Sequence, residues 1–185
     1  MSDRHAFHHD LSEQIPTLRA FARTLARDAS HADDLVQETL LKAWSNRDRY
    51  QAGTNLRAWL FTILRNTFYS EFRKRRREVE DVDGAYVGRL AEKPSQDDRM
   101  ALNDFAAALA RLPVDQREAL VLVGATGLSY EEAAAIVGCA VGTVKSRVSR
   151  ARARLTEMLE PDAHGADGAE ARVEAALGAA LTPGA

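Results

Sequence analysis

The chain has 185 residues, of which 45% are hydrophobic, 28% charged and only 6% aromatic, a balance that supports a packed, helix-rich core and excludes wholesale disorder. Its one cysteine, Cys139, excludes a disulfide framework and a thiolate zinc finger, and no apolar run approaches the ~18 residues of a membrane span or a signal core, so a cytoplasmic protein is expected. The formal net charge of −2 hides a segregation: residues 1–77 carry 14 basic and 9 acidic side chains, residues 78–98 carry 2 and 7, and local potential rather than the total governs binding to a polyanion.

Residues 1–10 read as a flexible N-terminus. His5, His8 and His9 beside Asp10 offer ligand atoms, but a frayed polar end explains them without metal or catalysis. A first helical module follows over residues 11–77. Leu18, Phe21, Ala22 and Leu25 recur at helical spacing, with Pro16 tolerable only near a helix start. Ser30 offers an N-cap, with Asp33 and Asp34 in the first turn. The next helix carries Leu35, Val36, Thr39, Leu40, Ala43 and Trp44 on one stripe, so Trp44 is assigned to the core. Asn46 to Asn55, with Gly53, reads as a loop.

A long helix starts near Thr54 and turns Leu56, Trp59, Leu60, Ile63, Leu64, Thr67 and Phe68 inward, which leaves Phe61, Thr62, Arg65, Asn66, Tyr69 and Arg73 outside. Aromatics interleaved with basic residues suit single-stranded nucleic acid, since bases stack on rings while cations follow the backbone. Asn66 suits the edge of an extruded base. Phe61 or Tyr69 would serve equally well as packing against a neighbouring helix, and the sequence leaves both readings open.

Residues 78–98 are acidic, contain Gly84, Gly88 and Pro94, and lose helical periodicity, as a linker does. Stretched, such a segment reaches ~70 Å, about two turns of DNA. A second module spans 99–160. Met100, Leu102, Phe105, Ala106, Leu109 and Leu112 form its first apolar face, Pro113 breaks that helix and opens the next, and Gly124 and Gly127 end the latter.

Residues 129–155, SYEEAAAIVGCAVGTVKSRVSRARARL, hold the most informative pattern. Ser129 and Glu132 form a capping box, Gly138 suits a left-handed turn, and Cys139 reads as a small buried residue. The following helix turns Val141, Val144, Val148, Ala151 and Leu155 inward. Its other face carries Lys145, Ser146, Arg147, Ser149, Arg150, Arg152 and Arg154, with no acid between Glu132 and Glu157. This is a helix-turn-helix whose second helix fits the major groove. The tail 161–185 is Ala/Gly-rich, with a weak helical composition at 169–181 and no assigned function.

Together the stretches DDLVQETLLKAW (33–44), TNLRAWLFTILRNTF (54–68) and GLSYEEAAAIVGCAVGTVKSRVSRARARL (127–155) resemble bacterial sigma factors of the extracytoplasmic-function (ECF) type, over about residues 11–160. The wording around 57–84 further resembles the general-stress-response, EcfG-type subgroup. The resemblance implies an all-α fold: a region 2 bundle and a region 4 helix-turn-helix bundle joined by the acidic linker. It implies docking on core RNA polymerase through Asp34, Gln37, Glu38, Leu41 and Lys42. Promoter −10 contacts would fall on Gln51, Gly53, Thr54, Asn55, Arg65 and Asn66, joined by Phe61 and Tyr69 from the pattern above. Contacts at −35 would fall on Lys145, Ser146, Arg147, Ser149 and Arg150, with Thr143 beside them.

The expected partners are therefore core polymerase, promoter DNA with a GGAAC-like upstream element, and a NepR-like anti-sigma protein. No cofactor, metal, small-molecule substrate, membrane or catalytic residue is expected. Ala140, where relatives often have Ser, departs from the pattern and forfeits an N-cap. Two other readings stay in view. One is a stand-alone helix-turn-helix regulator, which would not need the 33–44 and 54–68 stretches. The other is a sigma-like decoy for an anti-sigma protein, which would not need the basic helix.

Overall fold

Leu11, Leu18, Phe21, Ala22 and Leu25 recur at three- to four-residue spacing and are all buried, giving the first helix one apolar face. The computed structural model describes residues 2–26, 28–79 and 98–159; most of the acidic linker and the whole tail beyond residue 160 lie outside them. Among the described residues there are seven α-helices and no strand, in two units on either side of the linker.

The first unit comprises α1 (Ser2–Leu25), α2 (Ala29–Ser45), a single 3-10 turn (Arg47–Arg49) and α3 (Leu56–Val79). All three helices pack on one another. Their shared core holds Leu18, Phe21, Leu35, Leu60, Phe61 and Leu64. Residues expected to be flexible at the N-terminus are helical from Ser2 onward. Phe7 accounts for this: its ring lies 6.5 Å from Trp44 and 5.8 Å from Tyr50, so the early turns have something to pack against. Pro16 lies well inside α1 rather than near its start. It costs the helix one backbone hydrogen bond, while buried Leu11 and Leu18 hold both flanks.

The cap of α2 is Asp28, not Ser30. Its carboxylate accepts from the His31 backbone N–H at 2.7 Å, which moves Asp33 and Asp34 out of the first turn. Trp44, assigned to the core, is 38% exposed: it sits in the last turn of α2, where its ring meets Phe7 at 6.5 Å and the Arg47 guanidinium lies 5.4 Å over it. Polar links reinforce the bundle. His31 Nε2 lies 2.9 Å from Glu71 Oε2, joining α2 to α3, and Arg57 donates to Gln14 at 2.9 Å, joining α3 to α1.

The second unit comprises α4 (Asp98–Arg111), α5 (Val114–Gly124), α6 (Tyr130–Val137) and α7 (Val141–Leu159). Here α7 is the centre, packed by α4, α5 and α6. The buried face of α4 is Phe105, Ala108 and Leu112; Ala106 points to solvent, and the Met100 and Leu102 side chains lie outside the description. Leu120, Leu122, Ile136, Val144, Val148 and Leu155 complete the core. Among the described residues no helix is long and apolar enough to cross a membrane.

Candidate nucleic-acid and polymerase interface

On α2 the side opposite the core carries Asp34, Gln37, Glu38 and Leu41, all exposed. Their spacing places them on one stripe. Leu41 is 63% exposed, an isobutyl group in water at the centre of a polar face. Lys42 is half-buried beside them. It pairs with Glu38 at 3.2 Å and donates to Thr67 Oγ1 at 3.1 Å, which fixes the edge of this face to α3.

Between α2 and α3, Gln51 to Asn55 are all exposed, yet the loop is internally bonded. Tyr50 O–H donates to the Thr54 carbonyl at 2.7 Å, and Thr54 Oγ1 donates to the Gln51 carbonyl at 2.8 Å. Asn55 Oδ1 accepts from the Ala58 N–H at 3.2 Å, the bond of an N-cap, so part of this side chain is engaged in starting α3. Gly53 takes φ +90° at the loop tip, which a side chain would strain. The loop thus presents its backbone in a set shape.

Beside it opens a cavity of about 540 Å³ between the end of α2 and α3. Lys42, Arg49, Arg73, Asn46, Asn66 and Trp59 line it, and no carboxylate does. Three cations, an indole and two amides in one recess match what an unpaired nucleotide offers: phosphate, a ring face and a base edge. Of the residues expected at this site, Asn66 faces the cavity. Arg65 and Tyr69 form a neighbouring stripe instead, with the guanidinium 4.6 Å over the phenol ring.

Phe61, expected on the outer face, is fully buried and meets Phe21 edge-on at 4.8 Å. That removes it from any DNA contact. The expectation treated α3 as packed along one stripe, whereas α1 and α2 both lie against it and widen its apolar arc. Asn46, Arg49 and Ser70 were not singled out from the sequence. Their signal was weak, because the loop that carries two of them joins the cavity only once α3 has folded back along α2.

In the second unit the capping box forms with both bonds made: Glu132 N–H to Ser129 Oγ at 3.1 Å, and Ser129 N–H to Glu132 Oε2 at 2.8 Å. Gly138 ends α6 with φ 74° and ψ 41°, a left-handed cap. Cys139 is half-buried rather than buried. The chain then enters α7, whose Val144, Val148, Ala151 and Leu155 are buried, with Val141 half-buried.

Outward on α7, Lys145, Ser149 and Arg150 are exposed, with Thr143 and Ser146 half-buried beside them. Lys145 Nζ lies 5.6 Å over the Tyr130 ring. Arg150 folds back on its own helix, donating to the Ser146 carbonyl and hydroxyl at 3.2 and 3.1 Å. Two arginines of the basic series turn to α5 instead. Arg147 Nε lies 3.2 Å from Asp115 Oδ2, and Arg154 donates to Gln116 Oε1 at 3.2 Å. On α1, His9, Asp10 and Glu13 bring potential ligand atoms within 4.8 Å of one another, fully in the reach of water.

The chain thus joins a helix-turn-helix unit to a separate bundle with a cationic, Trp-lined recess. Residues 11–78 match Sigma-70 region 2, and residues 102–155 match Sigma-70 region 4. The chain belongs to the sigma-70 family. It is similar to the ECF RNA polymerase sigma factor EcfG of Rhodopseudomonas palustris (strain TIE-1), with 57% identity over 169 residues, 91% of this chain and 93% of that one. It is 41% identical over 140 residues to the ECF sigma factor SigC of Mycobacterium tuberculosis (strain CDC 1551 / Oshkosh), 73% of this chain and 74% of the other. Among solved structures it resembles the sigma factor RpoE co-crystallised with the anti-sigma factor NepR from Bartonella quintana. The TM-score is 0.78 and the identity 55%, covering 85% of this chain and 99% of that one. It is therefore an ECF sigma factor, a transcription initiation factor.

Proposed function

We propose that this sigma factor docks on core RNA polymerase through the outer face of α2, captures an unpaired −10 base in the recess at Asn66, and sets α7 into the −35 major groove. The observation that carries the reading is the recess: Lys42, Arg49 and Arg73 beside Trp59 and Asn66, with no carboxylate among them. A duplex-binding regulator has no use for such a site, because bases become available there only when strands part. Asp34, Gln37, Glu38, Leu41 and Lys42 form the docking face. Gln51, Gly53, Thr54 and Asn55 approach the strand with backbone and short side chains, and Arg65 with Tyr69 extends the cationic and stacking surface. On α7, Lys145, Ser149 and Arg150 make the groove contacts, with Thr143 and Ser146 at the margin.

We assign the protein no catalytic chemistry of its own and place its work in the cytoplasm, where polymerase acts. Its regulation follows the subgroup: a general stress response, with a NepR-like anti-sigma protein covering the polymerase-binding and apolar surfaces in the idle state. The 55% identity to a sigma factor crystallised with NepR supports this. The test is open-complex formation on a GGAAC-type promoter, followed by permanganate reactivity of unpaired thymines. Asn66→Ala is expected to leave polymerase binding intact and to reduce strand opening. Unfolding of that variant would make Asn66 a structural residue instead.

A further inference from the structure

Arg147 lies in the middle of the basic series of α7, yet its side chain is only 24% exposed. Lys145 and Arg150 on the same helix are exposed. One turn of α7 is pinned around it, with Val144 and Val148 buried before and after. Its guanidinium reaches away from the helix in two directions. Nε lies 3.2 Å from Asp115 Oδ2 in the first turn of α5, and one terminal nitrogen lies 3.9 Å from Cys139 Sγ in the turn that precedes α7. A carboxylate in a first helical turn is itself favoured by the helix dipole, so Asp115 is a well-placed anchor. The planar fork of arginine holds such a partner in a defined direction, which an ammonium does not.

We infer that Arg147 is a positioning residue: through Asp115 it sets the orientation of the reading half of α7, and it contacts no DNA. Resting on the proposed −35 reading, this divides the cations of α7 into two jobs. Lys145 and Arg150 meet phosphates and base edges, while Arg147 holds the helix that presents them.

Direct contact and positioning make opposite predictions. A cation that neutralises a phosphate contributes about one unit to the slope of log affinity against log salt. A cation turned away from the groove and held by a carboxylate of α5 makes no phosphate contact and leaves that slope unchanged. The experiment uses holoenzyme assembled from the full chain and core polymerase, titrated onto promoter duplex over a salt series. The variants are Arg147→Ala, Asp115→Ala, the two combined, and Lys145→Ala as reference.

Positioning predicts that Arg147→Ala and Asp115→Ala each weaken binding, by about fivefold at most for a partly exposed pair. The combination is then no weaker than either alone, and the salt slope is unchanged. A slope reduced by about one in Arg147→Ala, tighter binding in Asp115→Ala, additive losses, or no loss from either overturns it. Should Arg147→Ala fail to fold, Arg147→Lys takes its place, keeping the charge but not the fork, with the same pattern expected. Lys145→Ala keeps the two levels apart. If it leaves affinity and slope unchanged, the −35 reading itself fails; if it lowers both while the Arg147 and Asp115 variants behave additively, only the positioning role fails.

Discussion

Phe61 and Asn66 sit on the same helix and meet opposite environments. Phe61 is fully buried against Phe21, and Asn66 stands exposed at the rim of a cationic recess. Truncating Phe61 to Ala should therefore act on stability, by about 3–5 kcal/mol, the cost of a lost aromatic and the cavity it leaves. Denaturant unfolding of the protein checks this. Surface substitutions away from special features stay within about 0.5 kcal/mol, so Asn66→Ala should hardly move the midpoint and should act on strand opening instead. The surface ion pair Arg19–Asp33, 3.0 Å long with both side chains about half exposed, belongs with the second class and contributes little. These two positions also mark where sequence reading succeeds and fails at this scale. The polarity of Asn66 announces a surface residue by itself. The fate of Phe61 depends on Phe21, far away in sequence, and no local period reports that.

Elements are legible to the degree that their determinants are local. The capping box of α6, the left-handed Gly138 and the buried valine stripe of α7 are all short-range, and each forms as its spacing implies. The sequence offers Ser30 as the cap of α2, whereas Asp28, a capping residue type two positions earlier, takes the role by bonding the His31 N–H at 2.7 Å. The early start of α1 rests on Phe7 meeting Trp44 and Tyr50, contacts that exist only in the folded bundle. The same limit hid the pairing of Arg147 with Asp115. Local determinants also allow local tests. Ser129→Ala should destabilise the second unit by about 1 kcal/mol through the lost cap, read as a lower thermal midpoint. Ala140→Ser should do the reverse. Ala140 already accepts at its carbonyl from the Thr143 N–H at 2.9 Å, and a serine hydroxyl there adds the missing side-chain acceptor at the start of α7, a gain of up to about 1 kcal/mol. A raised midpoint with unchanged promoter affinity is expected; a lowered one would mean that the helix start is already satisfied.

At the scale of the whole molecule, the two units have separate cores, and the proposed function divides the labour of one factor between them. The division predicts separable defects. Leu41→Asp, at a 63% exposed position, should leave the fold intact and abolish association with core polymerase. Lys145→Ala should leave that association intact and weaken promoter binding. Both are read by co-migration with polymerase on a sizing column and by promoter retention. A stand-alone regulator predicts the contrary, with Leu41→Asp silent and the free protein binding duplex tightly. The most direct measurement is run-off transcription from a GGAAC-type promoter with core polymerase, with and without this protein. A transcript that appears only when both are present is the predicted result. Folded protein that yields no transcript and forms no stable complex with core polymerase would contradict it.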